Sequence, residues 1–231
     1  MLDVNAEQQH LNAALATAVA QGRAVLEWLP EASWHRLHER PVDDRWHVLH
    51  FIGHGDYDHN ADQGRVALVG EDGRADWVDA ERLADLLDQA EPTPRLVVLN
   101  SCSSGEGGIR DLFPGTAAAL VHSGISAVVA MQFRVSDRAA VDFPRGFYRQ
   151  LVAKGSVDEA VRGGRMSILG APHSLEWVTP VLYLSGEAQL FIRPMFPRPP
   201  GSPTDDAGTQ RLPDPPDASD HPLYLEAFRS V

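Results

Sequence analysis

The only cysteine of this chain, Cys102, follows a run of β-forming residues from Arg95 to Asn100, and His54 follows a comparable run from His47 to Ile52. A thiol and an imidazole delivered at the ends of two apolar strands are the parts of a nucleophilic site. Cysteine attacks as its thiolate, and with a free pKa near 8.5 only a few per cent is ionised at neutral pH, so it needs a base close by. His54 is the candidate base: it can take the thiol proton and return it to a leaving amine. A tetrahedral intermediate also needs preorganised N–H donors. The backbone N–H groups of Gly55 and of Cys102 are the candidates, since a glycine leaves the approach to its N–H free of a side chain. Cys102 is followed by Ser103 to Gly108, a stretch too polar and glycine-rich for a core, which sets it apart from an inert buried thiol.

Other side chains near the histidine carry weaker signals. Asp56 and Asp137 are candidate substrate contacts from loops, although Asp56 and Asp58 also read as solvated turn residues and Asp137 as the N-cap of a helix. His54, Asp56, Asp58 and His59 partly match a metallohydrolase pattern, but aspartate stands where a second histidine is needed, and His122 and His173 fall in or after helices rather than at strand ends. The expectation is therefore no metal and no cofactor. His47 and His50 alternate with apolar residues along their strand and read as packing residues.

The elements that must hold these groups alternate. Apolar residues Leu11, Ala14, Leu15, Ala18 and Val19 recur at helical spacing between Asn5 and Gln21, and Gly22 ends that helix. A strand is expected over 24–29, a short helix over 33–39, the His54 strand, a hairpin around 66–74 and a helix over 79–90. After the Cys102 strand the pattern predicts helix 116–122, strand 126–132, helices 137–152 and 157–169, and a last strand 177–184. Continuous apolar strands separated by helices predict an α/β fold, a mainly parallel sheet covered on both faces. Ligand and catalytic groups of such sheets gather beyond the carboxyl ends of the strands, where His54 and Cys102 both lie.

Composition narrows the classes. The 231 residues, 43% hydrophobic, suffice for one sizeable core. A formal charge of −12 argues against nucleic acid as a partner. One cysteine cannot form an intrachain disulfide, no cleavable signal is evident and no run approaches 18 apolar residues, so the expectation is a cytoplasmic protein with no membrane partner. Lys154 is the only lysine, a bias that fits a GC-rich bacterial genome. The expected organisation is a domain over 1–192, a Pro-rich disordered linker over 193–222, and a short apolar segment over 223–231 that frays or docks. Nothing in this pattern sets an oligomeric state.

The 48 positions between His54 and Cys102 are close to the roughly 50 that separate these residues in caspase-type peptidases. The stretch Trp46 to Gly55 resembles the His-Gly strand end of the CHAT domain family, and Leu96 to Cys102 resembles that family's cysteine strand. Ala127 to Phe133 with Asp137, then Phe147 to Leu151 and Asp158 to Val161, resemble its later strand and two helices in order, and Trp177 to Tyr183 its closing strand. The resemblance spans about Leu2 to Phe191. It implies a caspase-hemoglobinase-like three-layer sandwich and a cysteine endopeptidase with a Cys102/His54 dyad, acting on a protein substrate and gated by an activating protein partner in bacterial defence or regulated proteolysis. A caspase-like scaffold that signals without cleaving is the alternative. Relatives that cut after basic residues carry an acid two positions before the cysteine; here that residue is Asn100. They also carry a strand ahead of the segment resembling Leu2 to Val4, so an open flank on a neighbouring strand, filled by a partner, is a further expectation.

Overall fold

The computed structural model describes residues 4–39, 46–58, 60–90, 93–100, 114–133, 135–170, 175–185 and 223–229. Helix α1 (Val4–Ala20) leads through Gly22, at φ 66°, into strand β1 (Ala24–Leu29). The short helix α2 (Trp34–His38) follows, with the Ser33 side chain accepting from the Arg36 N–H. Then come β2 (Val48–Ile52), β3 (Gly55–Asp58), β4 (Gln63–Val69), β5 (Ala75–Asp79), α3 (Ala80–Asp88) and β6 (Leu96–Asn100). Helix α4 (Pro114–His122), β7 (Ala127–Met131), α5 (Asp137–Lys154), α6 (Val157–Leu169), β8 (Pro180–Leu184) and β9 (Leu223–Arg229) complete the order.

Six strands form the central sheet in the order β1-β9-β2-β6-β7-β8. All neighbours pair in parallel except β8, which runs antiparallel to β7. Side chains alternate between the two faces of a strand, and both faces are apolar here. Val48, Val98 and Val129 meet Leu11 and Leu15 of α1, Phe143 and Phe147 of α5, and Ile168 of α6. Leu49, Phe51, Val97, Leu99 and Val128 meet Leu83 and Leu87 of α3 and Leu120 of α4. Burial on both faces explains why these strands read as unbroken apolar runs. The molecule is an α/β sandwich of the caspase-like kind, a mostly parallel sheet between helical layers.

Three expectations change. The single hairpin becomes a three-stranded antiparallel sheet, β3-β4-β5, because the polar Gly55 to Asp58 stretch pairs with Gln63 to Val66. Trp177 opens no strand: Glu176–Val178 is a 3-10 turn, and β8 starts at Pro180. The residues before Leu223 lie outside the described ones back to 186, but 223–229 are not a frayed end. They form β9, paired with β1 on one side and β2 on the other. The chain's own later segment thus fills the gap between β1 and β2, because β-rich residues beside two unpaired strand edges gain a full ladder on each side, and β1 keeps an unpaired outer edge among the described strands.

Candidate active site

His54 lies where two sheets meet. Gly53 donates its N–H to the Asn100 carbonyl at 3.2 Å, tying the exit of β2 to the end of β6, and the Ala67 N–H donates to the His54 carbonyl at 2.9 Å, tying it to β4. Its backbone is therefore clamped from both sides between the last residue of β2 and the first of β3. The ring is about half-buried, and burial is the leading cause that holds its pKa below the ordinary histidine value. At neutral pH the imidazole is held in its neutral, proton-accepting form.

The register of β2 and β6 pairs Ile52 with Asn100. His54 follows the first of these by two residues, and Cys102 follows the second by two. Cys102 itself lies outside the described residues, as do His59 and His173. Gly55 is the first residue of β3 and pairs with Val66. Asp56 and Asp58 sit on one face of β3, and both engage Arg65, at 2.7 and 3.2 Å. Arg65 in turn stacks over Trp77, 4.8 Å from the ring centroid. Asp58 also accepts from the N–H groups of Asn60 and Ala61, at 2.9 and 3.3 Å. These two acids are thus neither free carboxylates nor plain turn residues; they anchor the small sheet that carries His54.

Asp137 opens α5 after the carboxyl end of β7, but it is not the N-cap. Ser136 holds that place, its hydroxyl accepting from the Ala139 N–H at 3.3 Å, so Asp137 is the first helical residue. No helix among the described residues is long and apolar enough to cross a membrane.

Beneath the ends of β2 and β6 lies a polar cluster that the sequence reading missed. Glu7, His50 and Asn100 are fully buried, as is Tyr148. His50 Nε2 is 3.1 Å from Glu7 Oε1 and its Nδ1 is 2.7 Å from the Tyr148 hydroxyl. Asn100 Nδ2 donates to Glu7 Oε1 at 2.5 Å and to the Ala140 carbonyl at 2.9 Å. His50, read as a packing residue, is the centre of this cluster. The available signal was Glu7, which continues the Leu11 and Leu15 stripe one turn earlier and so places a carboxylate on the buried face of α1.

Compared with known proteins, the chain finds no match among curated ones. The family description that does match is the CHAT domain, over residues 1–222. With the sandwich architecture and a match over nearly the whole length, the chain belongs to the CHAT domain family, whose members are caspase-like.

Proposed function

We propose that this chain is a caspase-like cysteine endopeptidase in which Cys102 is the nucleophile and His54 its base. The observation that carries the reading is the in-register pairing of Ile52 with Asn100 in a chain of this family, since equal steps from that pair lead to His54 and to Cys102. Adjacent parallel strands lie about 4.8 Å apart, a separation that a cysteine and a histidine side chain can close.

The neutral His54 takes the Cys102 thiol proton as the sulfur attacks the scissile carbonyl. The oxyanion is met by the N–H groups of Gly55 and Cys102. His54 then passes its proton to the leaving amine, and water, deprotonated by the same imidazole, releases the acyl group from sulfur. Asp56 and Asp137 remain the candidate substrate contacts, with Asp56 sharing its charge with Arg65. Gating by a protein partner goes with this reading and predicts low basal activity of the isolated chain.

The test needs no known substrate. The full chain is treated with a thiol alkylator at neutral pH, and new protein termini are compared in cells carrying wild type or Cys102→Ala. The expected result is labelling of Cys102 at least about tenfold faster than in His54→Ala, a typical minimum for a positioned base, and termini that vanish with Cys102→Ala. Labelling that ignores His54, together with identical sets of termini, overturns the peptidase reading.

A further inference from the structure

Resting on the dyad reading above, we infer that Tyr148, His50, Glu7 and Asn100 act as a positioning chain that fixes the ends of β2 and β6, and with them His54 and Cys102. The four side chains come from four elements: Glu7 from α1, His50 from β2, Asn100 from β6 and Tyr148 from α5. Each contact joins two of these elements or joins one to the Ala140 carbonyl of α5. His50 stands four residues before His54, and Asn100 two before Cys102. The two strands whose relative placement sets the dyad are therefore bonded to one shared atom, Glu7 Oε1.

The direction of the protons follows from the donor inventory. With a neutral imidazole beside a carboxylate, which only accepts, His50 Nε2 is assigned the hydrogen toward Glu7 and Nδ1 is left to accept from Tyr148. Burial, with the Glu7 charge adding to it, keeps the Tyr148 hydroxyl protonated well beyond its ordinary pKa, so it remains a donor. The chain thus runs Tyr148 to His50 to Glu7, and Asn100 supplies a second donor to the same oxygen.

The cluster reads as a specifying device more than a stabilising one. Among the described residues, Glu7 Oε2 and Asn100 Oδ1 are buried with no hydrogen-bond partner. Buried polar groups left so are unfavourable, and apolar residues of the same shape would serve a core as well or better. What a hydrogen-bonded chain adds is one allowed register among the four elements. Asn100 is also turned inward by its bonds to α1 and α5, which gives it a role other than meeting substrate.

The experiment measures Cys102 alkylation rates in full-length Tyr148→Phe and Glu7→Gln, each also combined with His54→Ala, alongside thermal melting. Positioning predicts that each variant, still folded, labels about tenfold slower than wild type, and that neither slows labelling further once His54 is gone. Folded variants that label at the wild-type rate overturn the inference while leaving the dyad standing. Faster labelling in both backgrounds overturns it as well, since that is the mark of a loosened fold exposing the thiol. A Tyr148→Phe chain that cannot fold would assign the cluster to stability and also end the proposal. Failure of the dyad itself is read separately, in the comparison of wild type with His54→Ala.

Discussion

At the scale of single residues, the decisive property is the protonation state of His54. Its pKa lies below the ordinary value of 6.5 mainly because burial penalises the charged ring. Two outcomes follow with defined signs. The His54-dependent part of Cys102 labelling should hold steady as pH falls from 7 through 6.5, and drop only below that, when the buried ring finally takes a proton. For stability, the unfolded chain protonates this histidine first, so the contribution of a neutral His54 is present above 6.5 and is lost as pH falls through the lower folded value. His54→Gln should therefore flatten the acid side of the stability profile just below pH 6.5, measured by chemical denaturation at each pH. An unchanged slope would show that the ring is not held neutral by its surroundings.

At the scale of elements, the layer behind the site depends on how closely α5 and α6 approach. A Cβ placed on Gly146 would run into the Gly163 carbonyl and the Ser167 side chain, and one on Gly164 would meet the Phe143 ring. These glycines are needed for the absence of a side chain. Gly146→Ala should force the two helices apart and destabilise the fold by about 1–3 kcal/mol, the usual cost of overpacking. Thermal melting should show it as a fall of roughly 2–4 °C per kcal/mol for a chain of this size. Because α5 also carries Tyr148 and Ala140, the same change should slow Cys102 labelling even at temperatures where the protein remains folded.

At the scale of the whole molecule, β9 is the strand that joins β1 to the rest of the sheet. Strand β1 pairs only with β9 among the described strands, and β2 has β9 on its outer side. Arg229, the last residue of β9, pairs with Ile52 at the end from which the chain runs to His54. Leu225→Pro removes a ladder donor from a strand paired on both sides, a position where proline is not accommodated. Hydrogen exchange of that variant should show protection lost in β1 and reduced in β2, with β6 and β7 keeping theirs. Equal protection of β1 in the variant and the wild type would mean that β1 is held by other contacts.

Periodicity and composition determined much of this protein unaided. The apolar runs of β2, β6 and β7, buried on both faces, cannot be mistaken for amphipathic strands, and α6 starts and stops where its pattern does. The histidine and cysteine at the ends of two such strands, together with the ordered motifs around them, were enough to reach the family. What local pattern could not supply was pairing between residues far apart in the chain. Gly55 to Asp58 is too polar to read as a strand until Gln63 to Val66 lies beside it. Leu223 to Arg229 looks like a loose end until β1 and β2 offer two edges. Glu7, His50, Asn100 and Tyr148 are unremarkable singly, since a buried carboxylate becomes tolerable only when the fold brings donors to it. Burial and hydrogen bonding depend on all neighbours in space, whereas propensity depends on neighbours in sequence. That difference is why the strands and the two candidate residues that follow them were legible early and the buried polar cluster was not.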